Sequence, residues 1–206
     1  ISYTQSQLIT DLLANRPLTY TPGVTIYYLN FGYCILGRVI EKITNMTYEN
    51  YVKSIILQQC GITEMKIGKN TLNDRDPKEV KYYQSEYSPY SPYNMNVTRM
   101  DSHGGWIAST KDLARFIVKI DRNESKSDLI SVTQLNKFYF GNPNWVHYGA
   151  LPGASAILSR LNKTFSFVVL VNTCTDSNPG LLLVDLYNTV KEKIITISAW
   201  PTDDLF

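Results

Sequence analysis

The sequence predicts an α+β fold, with helices in the first half and a β-hairpin followed by a helix at the end. In the first half, one stretch has apolar residues three or four positions apart, the period of a helix with an apolar face: Leu36, Val39, Ile40 and Ile43. Near the end, the segments 154–161 and 164–172 have strand length and meet at Asn162-Lys163, a hairpin turn. Helices and an antiparallel hairpin segregated along the chain are typical of α+β proteins.

Three helices are expected in the first half. The segment from Gln5 to Asn15 is amphipathic, and the proline-containing connection 16–22 ends it. The second helix runs to about Thr44, and we expect its apolar face to be buried. Asn30 stands directly before this helix, where its side-chain oxygen can accept a free backbone amide as an N-cap. A third helix is expected from Tyr48 to Leu57.

The middle of the chain is polar and irregular between residues 68 and 100, apart from a short strand expected at Glu79 to Tyr83. Ser109 is expected to cap a helix that covers Lys111 to Ile120. The remaining predicted elements are a helix, a strand and a closing helix, at Ser131 to Phe138, Trp145 to Ala150 and Leu181 to Ile195. We expect the closing helix to cover one face of the hairpin.

Size and composition exclude several classes of function. A chain of 206 residues with 44% hydrophobic and 18% charged residues fits a single globular domain, residues 1–206. Its net charge of +2 gives no argument for binding nucleic acid. No apolar run reaches the roughly 18 residues of a membrane span. With two histidines and no Cys-x-x-Cys pair, we expect neither a metal site nor a cofactor.

The cysteines and the glycosylation motifs bear on the compartment. For Cys34, Cys60 and Cys174, two alternatives stay open: a disulfide between Cys34 and Cys60, or free buried thiols. Asn-x-Ser/Thr motifs, which accept N-linked glycans in secreted proteins, occur at four positions: Asn45, Asn96, Asn123 and Asn162. These motifs favour a secreted, extracellular glycoprotein.

Two motifs carry the chemical signal. The stretch from Pro22 to Gly37 reads P-G-x-x-x-x-Y-x-N-x-G-Y-x-x-L-G, and residues 147–150 read His-Tyr-Gly-Ala. Together they resemble the serine β-lactamase-like hydrolases, which comprise class C β-lactamases, DD-peptidases, also called penicillin-binding proteins, and related esterases. The resemblance continues through other stretches to the end of the chain: 38–42, 60–62, 101–106, 112–116, 147–153 and 200–206.

The resemblance implies a fold and a site. The fold would be the β-lactamase/DD-peptidase type, an antiparallel sheet flanked by helices. In that family Tyr28 would act with a lysine as the base of acylation, and Asn30 would help hold the site. His147 would be the third-motif residue beside the substrate, and the backbone at Gly149 and Ala150 would contribute to the oxyanion hole. Tyr28 and His147 should then lie within roughly 10 Å of each other across one cleft.

The chain departs from the family pattern in two places. It contains no Ser-x-x-Lys, the motif that bears the nucleophile, and only 27 residues precede Tyr28. We therefore expect a partial domain whose N-terminal part, with the nucleophile helix, is missing. Tyr148 also replaces the small polar residue usual in the third motif, and should point either into the cleft or into the core beneath its strand.

These observations leave two hypotheses. In the first, the chain is the C-terminal part of a serine hydrolase that cleaves a small ester or amide through an acyl-enzyme, inactive by itself. It would then associate with the missing N-terminal segment or with an assembly partner. In the second, it is a secreted non-catalytic derivative, a pseudoenzyme with a structural or binding role. A Ser-x-x-Lys in the upstream coding sequence would decide for the first.

Overall fold

The computed structural model describes residues 3–84, 90–123, 127–138, 142–174 and 179–203. It confirms the α+β class, because helices surround small sheets and the largest of these is antiparallel. The helices are α1 (Gln5–Asn15), α2 (Asn30–Thr44), α3 (Tyr48–Tyr51), α4 (Thr110–Ile117), α5 (Val132–Phe138) and α6 (Pro179–Thr196). The strands are β1 (Lys66–Ile67), β2 (Tyr83–Gln84), β3 (Trp106–Ile107), β4 (Trp145–Leu151), β5 (Ala154–Arg160), β6 (Ser166–Val171) and β7 (Thr173–Cys174).

The predicted hairpin forms two strands, β5 and β6, of a three-stranded antiparallel sheet in the order β4-β5-β6. Its turn is closed by Asn162, whose side-chain oxygen accepts the backbone amides of Thr164 and Phe165 at 2.8 and 2.9 Å. Helix α6 packs on this sheet through one apolar core, made by Ile157, Phe167, Leu183 and Ile194. The expectation that the closing helix covers the hairpin is therefore confirmed.

A second core lies between the helical elements of the first half and α4. Its buried members are Leu57, Cys60, Ile62 and Met65, with Leu113 and Phe116 of α4 packed against them. Ser109 caps α4 as predicted, because its hydroxyl accepts the backbone amide of Asp112 at 3.1 Å. This core fixes the end of the third helical segment relative to α4.

Two predicted elements differ in detail. The third helix is α-helical only over Tyr48–Tyr51 and continues as a π-helical turn over Val52–Leu57. The strand predicted at Glu79 to Tyr83 is wrong, since only Tyr83–Gln84 forms a strand, paired in parallel with β7. The amide of Tyr82 instead donates to the hydroxyl of Tyr93 at 2.8 Å, which removes it from strand pairing.

The prediction that α2 buries its apolar stripe is also wrong. Leu36 and Ile43 are 56% and 77% exposed, whereas the buried residues of α2 are Cys34 and Gly37, on another side of the helix. That side is held to the rest of the molecule by polar contacts of Arg38. The apolar period therefore predicted the helix correctly but not the face that packs.

All three cysteines, Cys34, Cys60 and Cys174, are buried, and Cys34 and Cys60 are not joined by a disulfide. The alternative of a disulfide between Cys34 and Cys60 is therefore wrong, and the alternative of buried thiols holds. The thiol of Cys60 fills apolar space in the core described above. Among the described residues, no helix is long and apolar enough to cross a membrane.

Candidate active site

Tyr28 and Asn30 form a local pair at the start of α2. The hydroxyl of Tyr28 donates to the side-chain oxygen of Asn30 at 2.9 Å, and both residues are exposed. The prediction that Asn30 is the N-cap is wrong, because α2 starts at Asn30 itself and Leu29 is the cap, without a side-chain hydrogen bond. The oxygen that would have capped the helix is bound to the Tyr28 hydroxyl instead.

A polar network anchors α2 behind this pair. Arg38 donates to the side-chain oxygen of Gln5 on α1 and, at 2.5 Å, to Asp101, and it also forms an ion pair with Glu41 at 3.1 Å. Gln5 in turn donates to Asp101 and to the backbone oxygen of Arg99, each at 2.7 Å. The network therefore connects α1, α2 and the loop around Asp101.

Sequence reasoning missed the roles of Arg38 and Gln5. Asp101 lies in the stretch 101–106, which is part of the family resemblance. In the structure Asp101 stabilises both the loop and α2, since it also accepts the backbone amide of Ser102 at 2.6 Å. No local pattern could have paired Arg38 with a residue 63 positions away.

His147 lies on β4, where its ring packs beside Trp145 with centroids 5.5 Å apart. Partial burial lowers the pKa of His147, so the imidazole is neutral at pH 7. Alternate residues of a strand point to opposite faces. Val146 and Tyr148 contact the α6 side of the sheet, so His147 lies on the other face.

Tyr148 does not share the face of His147. Its ring meets Tyr187 of α6 edge-on, with centroids 6.3 Å apart. Partial burial and the neighbouring Tyr187 raise the pKa of the Tyr148 hydroxyl. Tyr148 therefore lies on the α6 side of the sheet, as one of the two expectations had it, but at 45% exposure it is not in the core. The residue that departs from the family motif is accommodated against α6.

Gly149 and Ala150 follow on β4, paired with Ala156 and Ser155 of β5. Within the described part of the sheet, β4 is an edge strand. An edge strand leaves alternate backbone amides without a sheet partner, which an oxyanion-binding amide requires. That His147 lies within roughly 10 Å of Tyr28 stays a prediction.

The four glycosylation motifs differ in exposure. Asn45 ends α2 in the left-handed conformation, with φ of 57°, and is exposed, as is Asn123. Asn96 is half-buried and its side-chain oxygen accepts the amide of Arg99 at 3.0 Å. Asn162 is half-buried in the hairpin turn. Glycosylation at these positions, and secretion with it, stay predictions.

Other candidate sites lie away from the predicted residues. The described residues contain no group of three or more His, Cys, Asp or Glu side chains placed to hold a metal ion. A cavity of about 420 Å³ is lined by Arg122, Asn123 and residues 127–132, which include the glycosylation motif at Asn123 but none of the predicted catalytic residues. The candidate active site is therefore the one that the two sequence motifs define.

Sequence comparison finds related proteins. The family model described as Beta-lactamase matches residues 2–169. Penicillin-binding protein 4* of Bacillus subtilis (strain 168) is 30% identical over 84 residues, which are 40% of this chain and 18% of that protein. A putative D-alanyl-D-alanine carboxypeptidase of Salmonella paratyphi B is 36% identical over 61 residues, 29% of this chain and 14% of that protein.

Solved structures show the same fold. The D-amino acid amidase of Ochrobactrum anthropi SV3, complexed with D-phenylalanine, superimposes with a TM-score of 0.72 at 14% identity, over 96% of this chain and 66% of that chain. A penicillin-binding protein of Bacillus halodurans gives 0.63 at 17% identity, over 88% and 62%. The chain thus spans less than two thirds of these neighbours. Since the family model covers most of its length, the chain belongs to the beta-lactamase family.

Proposed function

We propose that these 206 residues are the C-terminal part of a serine hydrolase that cleaves a small ester or amide through an acyl-enzyme. The observation that carries the proposal is the hydrogen bond from the Tyr28 hydroxyl to Asn30 at the start of an anchored helix. Two relatives support an amide of a D-amino acid as the substrate class, because one is named a D-alanyl-D-alanine carboxypeptidase and another a D-amino acid amidase.

On this proposal the chain supplies the base and part of the substrate site. Asn30 holds the Tyr28 hydroxyl in one orientation. There Tyr28 would relay the proton of an attacking serine: its oxygen would accept that proton as its own proton passes to the lysine of the Ser-x-x-Lys segment. The neutral imidazole of His147 can donate one hydrogen bond to the substrate. A free amide of β4 would stabilise the negative oxygen that develops as the acyl-enzyme forms.

The nucleophile must come from outside the 206 residues, because the chain has no Ser-x-x-Lys. Acyl transfer needs the nucleophile and its base together, and removing either member of such a pair abolishes nearly all the rate. We therefore propose that the chain alone is inactive and acts with a segment that carries the serine.

We predict that the isolated chain hydrolyses chromogenic esters, D-alanyl anilides and cephalosporins no faster than buffer. The assay compares the chain with Tyr28→Phe and, as a matched control on the same exposed loop, Tyr27→Phe. Turnover that Tyr28→Phe abolishes and Tyr27→Phe retains would contradict the inactivity and reveal another nucleophile.

A second candidate is a secreted non-catalytic derivative with a binding or structural role. The observation that favours it is Tyr148, which stands where the third motif usually has a small polar residue. Its ring packs against Tyr187. The upstream coding sequence discriminates the two, since a Ser-x-x-Lys on a helix supports the hydrolase and its absence supports the derivative.

A further inference from the structure

Trp145 is a buried aromatic side chain beside the histidine of the third motif. It is 8% exposed, whereas residues 147–150 of the same strand are exposed. Trp145 and His147 are two positions apart on β4, so their side chains lie on one face of the sheet. Their rings form an aromatic pair, with centroids 5.5 Å apart and planes inclined at 57°. The exposed imidazole therefore rests on a buried indole.

The indole is held by the packing around the start of β4. The backbone oxygen of Trp145 accepts the hydroxyl of Ser159 at 3.2 Å, and Ser159 is itself fully buried. Arg160, the register partner of Trp145 on β5, is 6% exposed and donates to the backbone oxygen of Pro143. Side chains in such close-packed surroundings lie in rotamer minima. Trp145 is therefore a fixed support for the ring that packs on it.

An exposed histidine does not fix the direction of its own donor nitrogen. The torsion that turns an imidazole about its bond to Cβ has broad minima, so an exposed ring takes several orientations. Leu158, the register partner of His147 on β5, offers this ring apolar surface and no side-chain hydrogen bond. Packing against a fixed indole restricts the turn of the ring, and its nitrogens then keep one direction.

We propose that Trp145 is a positioning residue, whose indole holds the imidazole of His147 in the orientation in which it meets the substrate. This rests on the proposed function, in which His147 donates a hydrogen bond to the substrate. Such a donor must be held close to its productive geometry, because a misplacement of about 1 Å can lose about 100-fold in rate. Trp145 acts on the reaction through His147 and not by touching the substrate.

The charge state of His147 agrees with this contact. Desolvation lowers the pKa of His147, although the residue is exposed. An indole against one side of the ring keeps water from that side, which disfavours the charged imidazolium. The same contact then sets the direction of the ring and favours its neutral form, in which one nitrogen donates and the other accepts.

Nuclear magnetic resonance of the histidine rings tests the proposal in the 206-residue chain. The chain has two histidines, His103 and His147, and His147→Gln assigns their signals. Trp145→Leu removes the aromatic ring, whereas Trp145→Phe replaces it with a smaller one. With Trp145→Leu, the ring-current displacement of the His147 protons should disappear, and the measured pKa of His147 should rise toward that of an exposed histidine. Trp145→Phe should retain most of both effects.

His103 is the internal control, because it lies in the loop around Asp101 and not on β4. Its signals should stay the same in both variants, which shows that the fold is retained. With His103 unchanged, His147 signals that Trp145→Leu does not move would overturn the proposal. A loss in Trp145→Phe as complete as in Trp145→Leu would overturn it as well.

Relaxation of the His147 ring carbons in the parent chain decides the matter where a variant fails to fold. A ring held by the indole should have an order parameter near that of rigid backbone, about 0.85, and a value below about 0.6 would overturn the proposal. Neither measurement depends on turnover. An upstream sequence without Ser-x-x-Lys would end the hydrolase proposal and leave these signals unchanged, whereas a mobile His147 ring would end this one and leave the source of the nucleophile open.

Discussion

Gly105→Ala is expected to lower the free energy of unfolding by about 3 kcal/mol or more, because the added methyl group has no space. A Cβ atom at Gly105 would lie 2.5 Å from the backbone oxygen of Val97 and 3.0 Å from the carbonyl carbon and oxygen of Met100. These are main-chain atoms, which cannot rotate away as a side chain can. Gly105 also donates its amide to Met100 at 2.8 Å and accepts from Gly68 at 2.8 Å, so a shift of its backbone breaks both bonds.

Urea unfolding measures this effect, with Gly32→Ala as the matched control. Gly32 lies in the first turns of α2, where a Cβ atom would meet nothing within 4 Å. Alanine is favoured over glycine in a helix by roughly 0.5–1 kcal/mol, so Gly32→Ala should stabilise slightly. Equal unfolding midpoints for Gly105→Ala and the parent chain would show that the loop between Val97 and Trp106 is not packed as described.

Asp101→Ala is expected to cost about 3 kcal/mol of unfolding free energy, because it leaves several partly buried donors without an acceptor. The carboxylate accepts from Arg38, from the side chain of Gln5 and from the amide of Ser102. Without it the partners of the Arg38 guanidinium among the described residues are Gln5 and Glu41. The loss should loosen α1 and α2 together.

Glu64→Ala is the contrasting variant, since it removes an ion pair with Lys78 whose side chains are 59% and 79% exposed. Exposed pairs contribute little, so this change should leave the midpoint of urea unfolding nearly unchanged. Amide hydrogen exchange adds a spatial measurement, in which Asp101→Ala should speed exchange in α1 and α2 more than in α6. Uniform changes along the chain, or a cost no greater than that of Glu64→Ala, would contradict the anchoring role.

Much of the fold could be predicted from local chemistry. The helix of Gln5–Asn15 was predicted with its observed bounds, and its capping box between Thr4 and Gln7 shows why the helix starts there. The Ser109 cap and the turn at Asn162 were equally predictable, because each depends on a side chain bonding a backbone group within three residues. The family resemblance, confirmed by the family model, gave the overall fold.

What could not be predicted depends on distant contacts. Periodicity gave the apolar stripe of α2 but not its exposure, since the packed face is fixed by the bond from Arg38 to Asp101. Asparagine is a residue type favoured at N-caps, so the sequence suggested that role for Asn30. Only the structure shows that its side-chain oxygen accepts a hydrogen bond from the Tyr28 hydroxyl instead. Tyr148 suited either face of its strand until the position of Tyr187 was known.

Chemical cross-linking between positions 28 and 147 tests the central claim, that the Tyr28 loop and the His147 strand line one cleft. Tyr28→Cys and His147→Cys are combined in one chain, whose native thiols are buried. A bismaleimide that spans roughly 10 Å is then added, since each of its two ends reacts with a thiol. The protein is digested and the peptides are analysed by mass spectrometry. The account predicts a cross-linked peptide pair joining the two positions, formed also in dilute samples where the chain is monomeric. Two singly modified peptides and no linked pair would place Tyr28 and His147 in separate regions and contradict the site.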